Sequence, residues 1–349
     1  MYTIYARNVN EAWPVGGQEI LSRHILRESR YGVVAEYPTP VITTYTRPEE
    51  CVLFDPQRNG NPFFHLMETI WMLAGRNDVE WLAQFNSGMK EFSDNGKTFH
   101  GAYGYRWRNH FCLGGGDEQV DQVKEIINIL KANPHDRRAV LTMWDPMSDL
   151  AQDGVDFPCN THIYFKGRPY HPTHTYSTSA DCRLDMTVCC RSNDIIYGCY
   201  GSNVVHFSIL MQVIAKCIGM SLGTYHHISD SYHYYLEKEH LINHLKKGGI
   251  QACPYELNYV SPYLLEIENW ETFSADLDTF MHAPHSNNFT NRWFHKVIKP
   301  MYWAYLAYKD KNNPDRWKTT LEILNQMPEN NDWRKAGQEW IERKRDGSI

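Results

Sequence analysis

Arg191-Ser192-Asn193-Asp194, followed nine residues after the aspartate by Asn203, decides the reading of this chain together with Asp156-Phe157-Pro158-Cys159 upstream. A cysteine attacks as its thiolate, and a neighbouring guanidinium favours that form. A fall of about 2 units from a free value near 8.5 makes the thiolate the main species near neutrality. Arg191 and Ser192 can also hold a phosphate, through the arginine's forked charge-assisted hydrogen bonds and the serine hydroxyl. Asn203 carries a planar amide with one acceptor and two donors, the shape needed to read a pyrimidine edge. Nucleophile, anion clamp and base reader together describe a site for a nucleotide.

Composition narrows the ligand. With 349 residues, 42% hydrophobic and 22% charged, the chain is an ordinary soluble globule able to bury a large core as one domain or two. A formal net charge of -6 offers no basic field for a nucleic-acid backbone, so a free nucleotide fits better than a polymer. No apolar run approaches the roughly 20 residues of a bilayer span, and Met1-Tyr2-Thr3-Ile4-Tyr5-Ala6-Arg7 lacks a signal core, so a cytoplasmic location is expected. Nine cysteines without a CxxC pair indicate neither a disulfide framework nor a zinc ribbon, and most should be reduced and buried.

Periodicity places the elements. Phe63, Phe64, Met67, Ile70 and Trp71 recur at helical spacing, which puts Glu68 near the buried face of an amphipathic helix. Val123, Ile126, Ile127 and Leu130 mark a second helix, ended by Asn133-Pro134. Residues 138–144, 161–165 and 184–190 are short β-rich runs, with Cys159 and Arg191 at strand ends beside loops. Residues 204–220 are apolar nearly all round, a buried central helix with Asn203 at its N-terminus. Beyond Pro262, amphipathic segments at 303–308, 317–327 and 333–343 suggest an added subdomain, giving a catalytic domain over 1–260 and a mostly helical one over 261–349.

At these residues the chain resembles the thymidylate synthase family, which also contains the pyrimidine nucleotide hydroxymethylases. The match is an ordered series over roughly residues 20 to 245. Arg30 in Ser29-Arg30-Tyr31-Gly32 resembles the family's N-terminal phosphate arginine, Glu68 its catalytic glutamate, and Tyr103 in Ala102-Tyr103-Gly104 its active-site tyrosine. Arg137-Arg138 resembles the pair that reaches across the dimer to the partner's phosphate site. Cys159, Arg191, Ser192, Asp194 and Asn203 follow in family order, and His233 with Tyr235 resembles the ribose contact. The resemblance implies an α+β fold, a large bent mixed β-sheet packed with helices, here extended by C-terminal helices. It also implies a homodimer with shared sites and no metal. The substrates would be a pyrimidine nucleoside monophosphate, dUMP foremost, and 5,10-methylenetetrahydrofolate. Cys159 would add to C6 of the base, with Glu68 and Tyr103 managing protons.

Departures bear on the product. Asn160 follows the nucleophile where synthases usually carry histidine, and an insertion over roughly Gly167 to Cys182 is rich in His, Thr, Ser and Tyr. The tryptophans beside the folate are not evident in Met89-Lys90-Glu91-Phe92-Ser93-Asp94, and Arg343-Lys344-Arg345-Asp346-Gly347-Ser348-Ile349 is not the apolar tail of synthases. A less shielded intermediate favours capture by water, hence a hydroxymethyl product, over capture by hydride, hence a methyl product. A cytosine nucleotide remains the alternative substrate.

Bland readings stand beside each assignment. Most buried cysteines are inert, and Cys189 and Cys190 fit that reading on the two faces of a strand. Asp194 and Asn203 could be caps or turn residues. One extra residue between them makes Ser202 a rival base reader, and Tyr232 rivals His233. His162, His171 and His174 match no common zinc spacing. A cysteine hydrolase would need a histidine paired with Cys159, and a non-catalytic nucleotide-binding relic would have lost Cys159 or Glu68.

Overall fold

The β-branched and aromatic runs pair into one eight-stranded mixed sheet in the computed structural model, which describes residues 1–151, 153–170, 179–247 and 252–347. The strands are β1 Tyr2–Ala6, β2 Ile25–Ser29, β3 Gly32–Glu36, β4 Val41–Tyr45, β5 Val140–Thr142, β6 Asn160–Pro169, β7 Cys182–Asp194 and β8 Ser221–Tyr235. They lie in the order β1-β4-β8-β7-β6-β5, with β3 also paired to β8 and β2 to β3. β7 and β8 run parallel, as do β1 and β4, while the other pairs are antiparallel.

A parallel pair needs a long crossover, and helix Asn203–Ile218 supplies it between β7 and β8. Every residue of that helix except Lys216 is buried. It ends at Gly219, whose φ of 72° is left-handed and cheap only for glycine. The segment Ile195–Ile218 is long and apolar enough to cross a bilayer, yet it is the core helix of the fold. Strand alternation turns Met186, Val188 and Cys190 of β7, and Tyr225, His227 and Ser229 of β8, toward this helix. The opposite face stays half-buried at Thr187, Cys189, Thr224, His226 and Ile228.

The expected helices are present as Pro62–Leu73, Gln122–Ala132 and Asn203–Ile218, and the three tryptophan-rich segments fold as Lys299–Lys309, Arg316–Leu324 and Asp332–Arg345. These C-terminal helices share the main core. Phe63, on the helix that carries Glu68, packs on Tyr305 (5.5 Å) and Trp340 (5.6 Å), and Trp81 stacks on Tyr302. The three expected strands are β5, β6 and β7, the last two longer than their apolar runs. β1 to β4 and β8 were not anticipated, because β8 hides its pattern behind buried His227, Ser229 and His233.

Asp332 opens the last helix while 1% exposed, held by the Tyr255 hydroxyl (2.9 Å) and the Trp333 N–H (2.9 Å). Burial pushes its carboxyl up to about 7. The folded value lies above the unfolded one, so this stabilising contribution is complete below about pH 4 and is lost as pH rises through 7. Asp332→Asn should therefore remove on the order of 2 kcal/mol of the stability that the wild type loses between pH 5 and pH 8. Urea denaturation of both proteins at the two pH values measures it; equal losses would refute the assignment.

Candidate active site

Strand register gathers the site at one end of the sheet. Parallel pairing sets Ser192 beside Ser231 and Asp194 beside His233, and antiparallel pairing sets Asn160 opposite Cys190. β3 reaches the same end, with Val34 opposite Tyr235. The start of β6, the ends of β7 and β8, and the β2–β3 turn thus bring together Cys159, Asn160, Arg191, Ser192, Asp194, His233, Tyr235 and Arg30.

Two arginines hold the cysteine loop. Arg191 donates from Nε to the Pro158 carbonyl (3.0 Å) and from Nη2 to the Phe157 carbonyl (3.3 Å), while its backbone N–H donates to the Cys159 carbonyl (2.9 Å). The same guanidinium lies over Trp144. Arg30 donates to the Gly154 carbonyl (2.7 Å) and lies 5.1 Å from the Phe157 ring centroid. Tyr103 stacks on Phe207, and its hydroxyl accepts from the Asn160 N–H (3.3 Å).

The thiol itself corrects the sequence expectation. Burial pushes Cys159 above the usual thiol range, outweighing the opposing pull of Arg191, of the Tyr103 hydrogen bond and of Arg30. Arg191 spends donors on two carbonyls, and removing a thiolate from water costs more than one guanidinium returns.

Asp194 settles how Asn203 is presented. Its Oδ1 accepts from the N–H groups of Ile196 (2.6 Å) and Tyr197 (3.0 Å), capping a π-helical segment, Ile195–Ser202, that runs directly into Asn203–Ile218. The wide turn absorbs the extra residue, and Arg58 Nε steadies it at the Ile196 carbonyl (2.9 Å). Asn203 is therefore no cap: its Nδ2 donates to Asn193 Oδ1 (3.1 Å). Burial raises the Asp194 carboxyl above the ordinary range, against the pull of the capping N–H of Tyr197 and of His233. Tyr232 lies in the core with its hydroxyl on that of Tyr200 (2.9 Å), whereas His233 Nδ1 lies 3.2 Å from Ser231 Oγ and its ring meets Tyr235 edge-on. Tyr235 is pushed up to about 12 by burial and by Asp194 and Cys159 nearby.

Glu68 has a partner that sequence reasoning passed over. His206, 3% exposed, places Nε2 3.1 Å from Glu68 Oε2. Its signal was its position three residues after Asn203, on the same helical face. Glu68 Oε2, both nitrogens of His206, Asp194 Oδ2 and Asn160 Oδ1 are buried and lack a well-aligned hydrogen-bond partner among the described residues. Such groups normally bind water or ligand. Beside Val205 lies a shallow, partly open cleft lined by Arg58, His65, Val205, Trp333 and Arg343 among others.

Arg137 and Arg138 stand apart. Both are exposed, and Arg138 pairs with Asp136 (2.9 Å). The β5–β6 register sets Val140 opposite Tyr164, so the pair lies level with about Lys166, six residues or roughly 20 Å along β6 from Asn160. They lie outside the site of their own chain. His171 and His174 lie outside the described residues, and His162 Nδ1 is 3.0 Å from Thr161 Oγ1.

Residues 63–287 match the family model for thymidylate synthase. The chain is 41% identical over 352 residues to a deoxyuridylate hydroxymethyltransferase of Pseudomonas phage M6, covering 99% of this chain and 95% of that one. It is 35% identical over 206 residues to a deoxyuridylate hydroxymethyltransferase of Bacillus phage SP01, covering 57% of this chain and 50% of the relative. A protein of the same name from Delftia phage PhiW-14 is 28% identical over 197 residues, 53% and 49% of the two chains.

The electrostatics give a direct test. In the free protein, alkylation of Cys159 by iodoacetamide, followed by peptide mass mapping against pH, should show a midpoint above that of an unperturbed thiol. Arg191→Gln should move it further up. A midpoint below an ordinary thiol's would contradict the dominance of burial.

Proposed function

Because the chain belongs to the thymidylate synthase family, we propose that it acts as a deoxyuridylate hydroxymethyltransferase. The net reaction is dUMP, methylenetetrahydrofolate and water giving 5-hydroxymethyl-dUMP and tetrahydrofolate. The observation that carries this reading is the convergence, at one sheet end, of a cysteine held by two arginines, a carboxylate–imidazole pair and a side-chain amide. The near full-length relative of that name supports the same assignment.

Arg30, Arg191 and Ser192 hold the phosphate, His233 and Tyr235 the sugar, and Asn203 the base edge. Cys159 Sγ bonds to C6 of the pyrimidine, which makes C5 a nucleophile. Because burial holds the thiol up, Arg191, Arg30 and the Tyr103 hydroxyl stabilise the thiolate as it forms at the moment of attack. Glu68, with His206 beside it and Tyr103 near the sulfur, receives the C5 proton and handles the proton of water. The folate supplies a one-carbon unit at the oxidation level of formaldehyde. The residues fit it: Asp194 Oδ2 is a buried acceptor without a donor, suited to the N–H groups of a pteridine, and the nearby cleft offers Trp333 with Arg58 and Arg343. The buried polar atoms around Glu68 and His206 that lack a well-aligned hydrogen bond among the described residues favour an ordered water in the site. That supports hydroxyl capture over hydride capture.

We further propose a homodimer whose phosphate sites each take Arg137 and Arg138 from the neighbouring subunit. Their distance of roughly 20 Å from Asn160 along the sheet exceeds what an arginine side chain can reach. The half-buried outer face of the sheet is the surface for self-association.

Two experiments test these readings. Incubation with dUMP and methylenetetrahydrofolate should give a nucleotide heavier by CH2O, without accumulation of dihydrofolate. Cys159→Ala should abolish that product while binding dUMP within a few-fold of wild type. A methylated nucleotide with stoichiometric dihydrofolate would overturn the proposed product. Separately, mixing inactive Cys159→Ala with an inactive Arg137→Ala, Arg138→Ala double variant should restore part of the activity, since one hybrid site holds both intact parts. Failure to recover activity under demonstrated subunit exchange would count against shared sites.

A further inference from the structure

Beneath Asn203 lies a run of buried polar groups that the catalytic assignment does not use. Asn193 Nδ2 donates to His227 Nε2 (2.9 Å) and to Ser229 Oγ (2.9 Å), and its Oδ1 accepts from Asn203 Nδ2 (3.1 Å). His227 Nε2 also lies 3.3 Å from Cys190 Sγ, and His227 Nδ1 lies 3.0 Å from the Tyr225 hydroxyl. Asn160 Nδ2 in turn lies 3.8 Å from Cys190 Sγ. Asn193 and His227 are 1% and 0% exposed, so water cannot substitute for a wrongly oriented partner.

The polarity of this run is fixed from its inner end. His227 is neutral, its imidazole pulled down to about 3 by burial, so it carries one N–H and one lone pair. Cys190 stays a thiol, held well above the usual range by burial. With Asn160 donating to its sulfur, its S–H is left to point at Nε2. Two donors, from Cys190 and Asn193, then face Nε2, which must hold the lone pair, and the proton sits on Nδ1 and goes to Tyr225. Asn193 has both N–H groups engaged by acceptors, so only its oxygen is left for Asn203. Gly198 lets the backbone close on this amide pair, since a Cβ there would lie 2.8 Å from Asn193 Oδ1 and 3.1 Å from Asn203 Nδ2.

We propose that Cys190, His227 and Asn193 are positioning residues that lock the Asn203 amide in one orientation and thereby set uracil over cytosine. Locked in this way, Asn203 offers the base its Oδ1 and the second N–H of Nδ2. Uracil matches, with N3–H donating to the oxygen and O4 accepting from the nitrogen. Cytosine sets an acceptor at N3 against the oxygen and an amino group against the N–H. The proposal rests on the uracil-nucleotide reading above and adds to it the device that enforces the choice. Without the lock an amide can turn over and accept either base.

The test is the ratio of dUMP to dCMP affinity, measured by titration calorimetry on the full chain with near-ultraviolet circular dichroism as the fold check. Asn193→Leu should lower the ratio at least tenfold. Asn193→Asp, whose buried carboxyl as the neutral acid donates its O–H to His227 Nε2 and still accepts from Asn203 Nδ2, should keep it within threefold. A purely structural role would weaken both nucleotides alike and leave the ratio unmoved. A folded Asn193→Leu protein with an unchanged ratio would overturn the proposal, as would equal loss in the two variants. If Asn193→Leu does not fold, Tyr225→Phe decides, because it deletes only the hydroxyl that holds the Nδ1 proton: a threefold or greater fall supports the lock, and an unchanged ratio overturns it. Wild-type protein that neither binds nor converts dUMP would overturn the functional reading instead, an outcome separate from loss of selectivity.

Discussion

The parallel pairing of β7 with β8 is the constraint on which the rest depends. Parallel strands end at the same edge, so residues 39 apart in sequence, Asp194 and His233, become neighbours. The pairing also demands a crossover, and the crossover helix delivers Asn203 and His206 to that edge. β6, running the other way, begins where β7 ends and brings Cys159 to meet Arg191. No local motif does this. It is the hydrogen-bond ladder of the sheet that turns scattered residues into one site.

Inside that frame, desolvation outweighs point charge. Burial raises Cys159 despite Arg191, raises Asp194 despite His233, and holds His227 neutral. A site built this way keeps its groups uncharged or hydrogen-bonded in the free protein, so the direction of its hydrogen bonds is set more by burial than by net charge. The buried amides and imidazole beneath Asn203 follow the same logic, since each donor faces an acceptor and the order cannot be reversed at one position alone.

Much of the candidate site's clustering was legible in the sequence because its residues sit at strand ends and helix faces, where periodicity and motif coincide. Glu68, Cys159, Arg191 and Asn203 belong to that class. The polar interior was not legible. His227, Ser229 and His233 interrupt the apolar alternation of β8, so no strand is read from its pattern, and His206 lies within a helix whose sequence signal is its hydrophobicity. The protonation of Cys159 was misread for a related reason: sequence displays the nearby guanidinium but not the loss of water around the sulfur. The distance of Arg137 and Arg138 from the site depends on β5–β6 register, which short apolar runs do not fix.

The wide turn at Ile195–Ser202 carries a consequence for how this chain can vary. Each residue in a helix advances it by about 100°. Deleting one residue from that turn while the helix beyond stays packed in the core would drag Asp194 and the end of β7; letting the helix rotate instead would swing Asn203 off the base and His206 off Glu68 in a single step. The proposed base reader and the Glu68–His206 pair are therefore geared to one shaft. Substitutions can tune either separately, but a change of length at this turn alters both together unless the turn itself widens to absorb it, as the π-helical segment does here.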